Sequence, residues 1–273
     1  MIIRFSENSN LQCCTLVNYA NDLYKKLQLK NRDSALKIGE VTKVVSYSQE
    51  DIDKEFYTQN KEILDEVRGN GLWLWKPYFI KKELSKLEHG DYLFYCDSGS
   101  YFVSSIMNLI TALDLSGQDI MPFELDFKES TWTKRDAFVL MGCDSPFYSE
   151  SKHRLAGFIL FRKSETSLKF VDEWLHFSQD KRIITNSENT SGLPNYDGFK
   201  ENRHDQSVFS LLSKKYNLQA FRDPSQFGNY FFDSYDNSKS YKQLVQLTRL
   251  QKKSLKGKLK GVISKFLRIV IRN

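Results

Sequence analysis

The 273-residue sequence is short of the features that would place it quickly. It has four cysteines, Cys13, Cys14, Cys96 and Cys143, with no CxxC pair and no metal-finger spacing, which argues for reduced, buried thiols rather than a disulfide or zinc framework. It has no run of about 18 apolar residues, and its opening, MIIRFSENSNLQCC, contains no apolar core of signal-peptide length. A cytoplasmic location is therefore expected. No internal repeat is visible, and IIRFSENSN offers no glycine-rich phosphate loop, which counts against a nucleotidyltransferase. Acid is missing from one region only. From Arg249 onward, RLQKKSLKGKLKGVISKFLRIVIRN holds nine Lys or Arg and no Asp or Glu, so the net charge of +6 becomes 6 − 9 = −3 for the body that precedes it.

What is present is a globular composition, 40% hydrophobic and 27% charged, in a chain long enough for a large core. Strands alternate with helices along it. A strand is expected at IIRF, a helix over 11–29, a strand over 41–47, and a polar helix over 50–68 closed by Gly69. A further helix is expected over 78–88 with Pro77 in its first turn. DYLFYCD, 91–97, is hydrophobic on both faces, as in a sheet covered by helices on each side. A helix over 100–113, strands over 137–142 and 156–162, and helices over 164–179 and 204–216 complete the pattern. The implied class is α/β, with a mixed, mostly parallel sheet flanked by helices. The stretch 180–203 is polar, rich in Asn, Ser and Gly, and longer than an ordinary connection, which suits a functional loop or a disordered one. Residues 1–248 are expected to form one domain and 249–273 an appendage.

Several groups could carry chemistry. Asp97 closes an apolar strand and is followed by Ser98 and Gly99; a carboxylate there can meet a hard cation and a diphosphate, or merely cap a turn. His204, Asp205 and Gln206 open a helix where free N–H groups favour an anion, although Asp205 also suits any helix start. Lys134 and Arg135 could neutralise phosphate or form a solvated loop. Ala156 and Gly157 begin a strand and would allow close approach of a ligand, or simply of packed neighbours. In GNGLWLWKPYF, Trp75 and Lys76 stand out as a stacking face and a cation beside the strand of Asp97, with core filling as the alternative for the aromatic residues.

Taken in series, GLWLWKPYFI, GDYLFYCDSG, WTKRDAFVLMGCDS, LAGFILFRKS and RHDQSVFSLL resemble bacterial glycosyltransferases of capsular polysaccharide and O-antigen synthesis, over roughly residues 35–220. That resemblance implies a GT-A, nucleotide-diphospho-sugar transferase fold and a hexosyltransferase using a nucleotide-sugar donor such as a UDP-sugar. It implies a donor site of Asp97, Ser98, Gly99, Ala156, Gly157 and Gln206, with Asp205 and His204 catalytic; Trp75, Lys76, Lys134 and Arg135 join that donor site on the reading of the residues themselves, without a counterpart in the family. Mn²⁺ or Mg²⁺ would rest on Asp97 and His204. The family's usual Asp-x-Asp is broken here, because Gly99 replaces the second carboxylate. The acceptor would be a hydroxyl of a growing, lipid-linked glycan.

The basic segment fits that setting. Leu255, Leu259, Val262, Ile263, Phe266, Leu267 and Val270 fall on one side of a helix, and Lys256, Lys260 and Arg268 recur on another. Such a cationic amphipathic helix is expected to hold the protein peripherally on anionic lipid at the inner face of the plasma membrane. Rival readings are a non-enzymatic membrane or nucleic-acid adaptor acting through this segment, or a sugar-nucleotide hydrolase. Nucleic acid is not an expected partner, because the charge is confined to the appendage.

Overall fold

The computed structural model describes residues 13–229 and 241–248. Six strands form the central sheet in the order β2-β1-β3-β6-β5-β7: β1 Cys14–Tyr19, β2 Lys43–Tyr47, β3 Tyr92–Cys96, β5 Ile120–Lys128, β6 Lys152–Arg162 and β7 Phe221–Arg222. The pairs β1–β2, β1–β3 and β5–β7 are parallel, whereas β6 is antiparallel to both β3 and β5. Five strands therefore share one direction and β6 alone opposes them. Two short strands, β4 Ser100–Phe102 and β8 Val245–Leu247, pair antiparallel in a second, small sheet.

The principal helices are α1 Lys25–Lys37, α2 Trp75–Leu84, α3 Met107–Ser116, α4 Arg135–Leu140, α5 Glu165–Ser178 and α6 Asp205–Lys215. They cover both faces of the sheet. One core packs Leu93, Tyr95, Ile159 and Phe161 against Phe79, Phe170, Trp174 and Phe209 from α2, α5 and α6. The other packs Tyr92, Phe94, Phe158 and Leu160 against Ala35, Leu109 and Leu113 from α1 and α3. Successive residues of β3 enter opposite cores, which is why YLFYC carries no polar alternation: all five of its positions are buried.

Several expectations need correction. Residues 11–29 are not one helix: Cys14–Tyr19 is a strand buried at all six positions. Lying between β2 and β3, it is covered on both faces, and its apolar run then mimics a helical stripe. The run 137–142 errs in the opposite sense, since AFVLMG lies in and just after α4. The expected helix over 50–68 is broken into Gln49–Asp51, Lys54–Gln59 and Lys61–Leu64. At its centre the Asn60 side chain donates to the Phe56 carbonyl at 3.0 Å, competing with helical bonding. The 100–113 helix starts only at Met107, after β4. β5 went unforeseen because Pro122 interrupts it, and the pairing shifts register there, between Met121 and Phe123. The expected strand IIRF and the basic appendage 249–273 lie outside the described residues.

Phe94 is fully buried and meets Phe102 edge to face at a 6.0 Å ring separation. Phe94→Ala is expected to cost about 3–5 kcal/mol, read by denaturant unfolding. A loss below 1 kcal/mol would show that this second core collapses around the gap.

Candidate active site

β1 and β3 point their carboxyl ends at one edge of the sheet, and Asp97 follows β3 directly. Its backbone N–H continues the ladder to Gly157 O at 2.9 Å, so β6 fixes where the side chain begins. The turn behind it is tied down at several points. Ser98 Oγ donates to Tyr19 O at 2.6 Å, and Ser100 Oγ donates to Asp97 O at 2.7 Å. Asn31 of α1 donates to Ser100 O at 3.1 Å. Gly157 leaves just enough room beside the carboxylate, since a Cβ there would meet Asp97 Oδ2 at 3.0 Å.

Lys76 joins this aspartate to a second one. Its Nζ lies 2.7 Å from Asp205 Oδ2 and 3.9 Å from Asp97 Oδ1. The Lys76 and Asp205 side chains are 4% and 3% exposed, whereas Asp97 is 41% exposed. Lys76 also sits 5.1 Å over the ring of Tyr95, whose hydroxyl donates to Asp97 Oδ1 at 2.7 Å. Burial pushes the Asp205 carboxyl up to about 6; the Lys76 ammonium opposes that rise and the charge of Asp97 adds to it. The indole of Trp174 donates to Asp205 O at 3.0 Å and anchors the start of α6.

His204 precedes this helix with a strained backbone, φ 56° and ψ −122°. Its Nδ1 lies 2.7 Å from Ile184 O, so that nitrogen carries the proton and Nε2 keeps a lone pair. Among the described residues Nε2 has no hydrogen-bond partner, and burial lowers the imidazole pKa, holding the ring neutral. Trp73 stacks on it at 5.7 Å. Trp73 itself ends an unusual turn: Gly69, Asn70, Gly71, Leu72 and Trp73 all have φ between 50° and 97°. Each non-glycine residue in this left-handed conformation costs about 1–2 kcal/mol. Gly71 has no alternative, because a Cβ there would lie 2.9 Å from Leu64 Cα.

The turn forms one wall of a cleft of about 670 Å³. Asp97, Ser98, Gly99, Trp75 and Tyr19 line it, with Leu247 and Thr248 opposite. Tyr19 and Trp75 stack at 3.7 Å within it. Of the residues singled out in the sequence, Trp75, Asp97, Ser98 and Gly99 line the cleft, while Lys76 and Asp205 lie beneath it. Tyr19, Asn70, Tyr95 and Thr248 were not foreseen, having no motif of their own.

Other expectations are corrected. Lys134 is buried, donating from Nζ to Ser187 O at 2.7 Å, and burial lowers its pKa. Arg135 pairs with Asp144 at 2.9 Å and covers the ring of Tyr196. Both serve to clamp the 180–203 segment, and neither lines the cleft of Asp97. Asp136 completes the clamp by accepting from the backbone N–H groups of Thr190 and Ser191. Ala156 is fully buried, and its N–H donates to Gln206 Oε1 at 3.1 Å. This contact joins β6 to α6, so neither partner's bonding group is free for a donor.

The residues present do not fit a divalent cation. Such ions take several oxygen ligands, and here Asp97 has an ammonium 3.9 Å away while Gly99 contributes no side chain. His204 keeps its Nε2 lone pair, with Nδ1 bonded to Ile184, but among the described residues no three His, Cys, Asp or Glu side chains gather as a metal-holding group. The Mn²⁺ or Mg²⁺ expected on Asp97 and His204 would therefore find no third side-chain ligand beside them among the described residues.

No protein-family model and no curated protein matches the chain. Its fold is similar to that of the WbbM bifunctional glycosyltransferase in its apo structure, with a TM-score of 0.51, 9% identity, and coverage of 86% of this chain but 45% of that one. Mouse xyloside xylosyltransferase 1 matches over 88% of this chain and 98% of its own, with 10% identity and a TM-score of 0.47. GlyE of Streptococcus pneumoniae TIGR4 matches over 88% and 55%, with 16% identity and a TM-score of 0.43. WbbM carries the comparison of fold: the chain has a mixed α/β fold, a mostly parallel sheet flanked by helices, similar to that of this glycosyltransferase.

Lys76→Met would leave Asp205 buried without its cation. Because the folded-state pKa of Asp205 lies above its ordinary value, its cost is present above the folded pKa and relieved as pH falls towards the unfolded one. The variant is expected to lose about 3 kcal/mol at pH 8 and clearly less at pH 5, by urea unfolding. Equal losses at both values would mean that Asp205 is not the charge Lys76 compensates.

Proposed function

We propose that the chain is a glycosyltransferase that moves a hexose from a nucleotide-diphosphate donor, a UDP-sugar, to a hydroxyl of a growing lipid-linked surface glycan. The capsule or O-antigen setting follows the sequence resemblance. Association with the inner face of the membrane through 249–273 follows the charge pattern of that segment. The observation that carries the reading is Lys76 shared between a buried and an exposed aspartate beside an aromatic cleft, on a sheet of this fold.

Tyr19 and Trp75, stacked on each other and nearly buried, support the cleft, and the partly exposed ring of Trp73 offers a face for the donor base. The anomeric carbon would sit near Asp97. As the acceptor oxygen bonds to that carbon, the bond from carbon to the diphosphate oxygen breaks and the diphosphate leaves with the electron pair. Lys76 is placed to follow that charge. Drawn towards the leaving diphosphate, its ammonium would release Asp205, whose pKa of about 6 suits a base that takes the acceptor proton. The free Nε2 lone pair of His204 can accept from a sugar hydroxyl once Trp73 gives way.

Two measurements test this. Thermal unfolding against a panel of sugar nucleotides should show one donor that raises the midpoint; at ~100 times its dissociation constant the gain is about 2.7 kcal/mol. Asp97→Ala is expected to abolish that gain. A flat response to every donor would favour the adaptor reading. With a donor identified, Asp205→Asn is expected to lower kcat at least ~100-fold, with donor affinity little changed. The acid limb of the kcat profile near pH 6 should vanish with it. Unchanged turnover would remove Asp205 from the mechanism.

A further inference from the structure

The cleft has an apolar rim that the chemistry inside it does not need. Val67 is 95% exposed, Leu23 69% and Tyr24 38%, and all three line the same cleft as Asp97. Leu23 and Tyr24 lie just before α1, and Val67 just before the left-handed turn, so the rim belongs to two separate segments of chain. Solvated apolar side chains grouped at the mouth of a site mark a surface that meets something apolar. Exposed Lys25 and Lys26 follow Tyr24, and Arg68 follows Val67; with Asp22 and Glu66 the flanks come to a net +1.

The opposite wall of the cleft supplies the second observation. β8 pairs with β4, and Thr248 donates from its N–H to Gly99 O at 2.7 Å and from its hydroxyl to the same oxygen at 2.9 Å. Thr248 is thereby fixed beside Asp97, and the acid-free basic sequence begins at the next residue. Among the described residues no helix is long and apolar enough to cross a membrane.

We propose that the cleft opens directly against an anionic lipid bilayer, with Leu23, Tyr24 and Val67 entering the head-group region while 249–273 lies on the same surface. The inference rests on the membrane part of the proposed function and adds an orientation: the mouth of the site, not merely the basic segment, is the docking surface. A lipid-linked acceptor would then reach Asp97 without its apolar chain leaving the bilayer. The rim side chains contribute burial and the basic segment contributes attraction to negative head groups.

The test uses the full chain, the double variant Leu23→Asp/Val67→Asp, and a matched double variant Leu115→Asp/Phe147→Asp. Leu115 and Phe147 are 81% and 65% exposed and do not line the cleft. Co-sedimentation with phosphatidylglycerol–phosphatidylcholine vesicles is expected to weaken ~10-fold or more for the rim variant, and less than about twofold for the matched one. Equal binding by all three proteins, or equal losses in both variants, would overturn the orientation. Should the rim variant fold poorly, a polarity-sensitive dye on Val67→Cys, compared with one on Leu115→Cys, both in a Cys13→Ser background, gives the answer: a vesicle-induced blue shift is expected at position 67 alone, and its absence there overturns the proposal. Sugar-nucleotide stabilisation of the unmodified chain, measured without vesicles, reports separately on the transferase reading.

Discussion

A buried ammonium shared by two carboxylates organises the edge of the sheet that carries the cleft. Lys76 and Asp205 are both withdrawn from water, and neither charge would be tolerable there without the other. Asp97, more exposed, is held by the same ammonium and by Tyr95. To bring these groups together, the fold must align three distant segments: the first turn of α2, the end of β3 and the start of α6. Each is anchored on its own account, by the Tyr19–Trp75 stack, the Asp97–Gly157 ladder bond and the Trp174–Asp205 bond.

The strained backbone of this region follows from the same demand. Five successive residues from Gly69 to Trp73 adopt positive φ, and His204 does so on the facing segment. Such conformations persist only where the surroundings over-determine them. Here the Trp75 indole donates to Gly69 O at 3.0 Å, and the Asn70 amide bonds the Tyr19 hydroxyl. The result puts the Trp73 ring against His204 and in the wall of the cleft. The long 180–203 segment contributes by being fixed rather than free, since Asn189, Asn195, Asn202 and Asp136 satisfy backbone groups across it. Its composition suggested a loop in search of order; the order comes from side-chain amides substituting for a backbone ladder.

A second buried charge cluster shows how α6 keeps its place. Glu129 is fully buried and accepts from Lys214 and Ser210 of α6, and His153 of β6 lies 2.9 Å from it. Those contacts hold its carboxyl well below the ordinary range despite the burial that opposes them. Near the other end of the helix, Ser207 donates to Trp132 O at 2.8 Å. Asp205 therefore projects from a helix fastened along its length, which is what an ion pair at 2.7 Å requires.

The amino-acid sequence by itself determined the class of fold and the most informative residue of the site. Its strand–helix alternation, the doubly apolar YLFYC and the acid that ends it are local properties, set by propensity and by what a strand covered on both faces must contain. The start of α6 at His204-Asp205 was legible for the same reason. Tertiary structure decided the rest. Cys14–Tyr19 and Ala137–Gly142 are both short apolar runs, and only their neighbours determine which becomes a strand and which lies in and just after a helix. Lys134 and Lys76 are both lysines beside aromatic sequence, yet one is spent on a loop carbonyl and the other joins Asp205 to Asp97. A side chain's local sequence states its charge and size, whereas its partner, its burial and hence its pKa depend on residues far along the chain, Ser187 for Lys134 and Asp205 for Lys76.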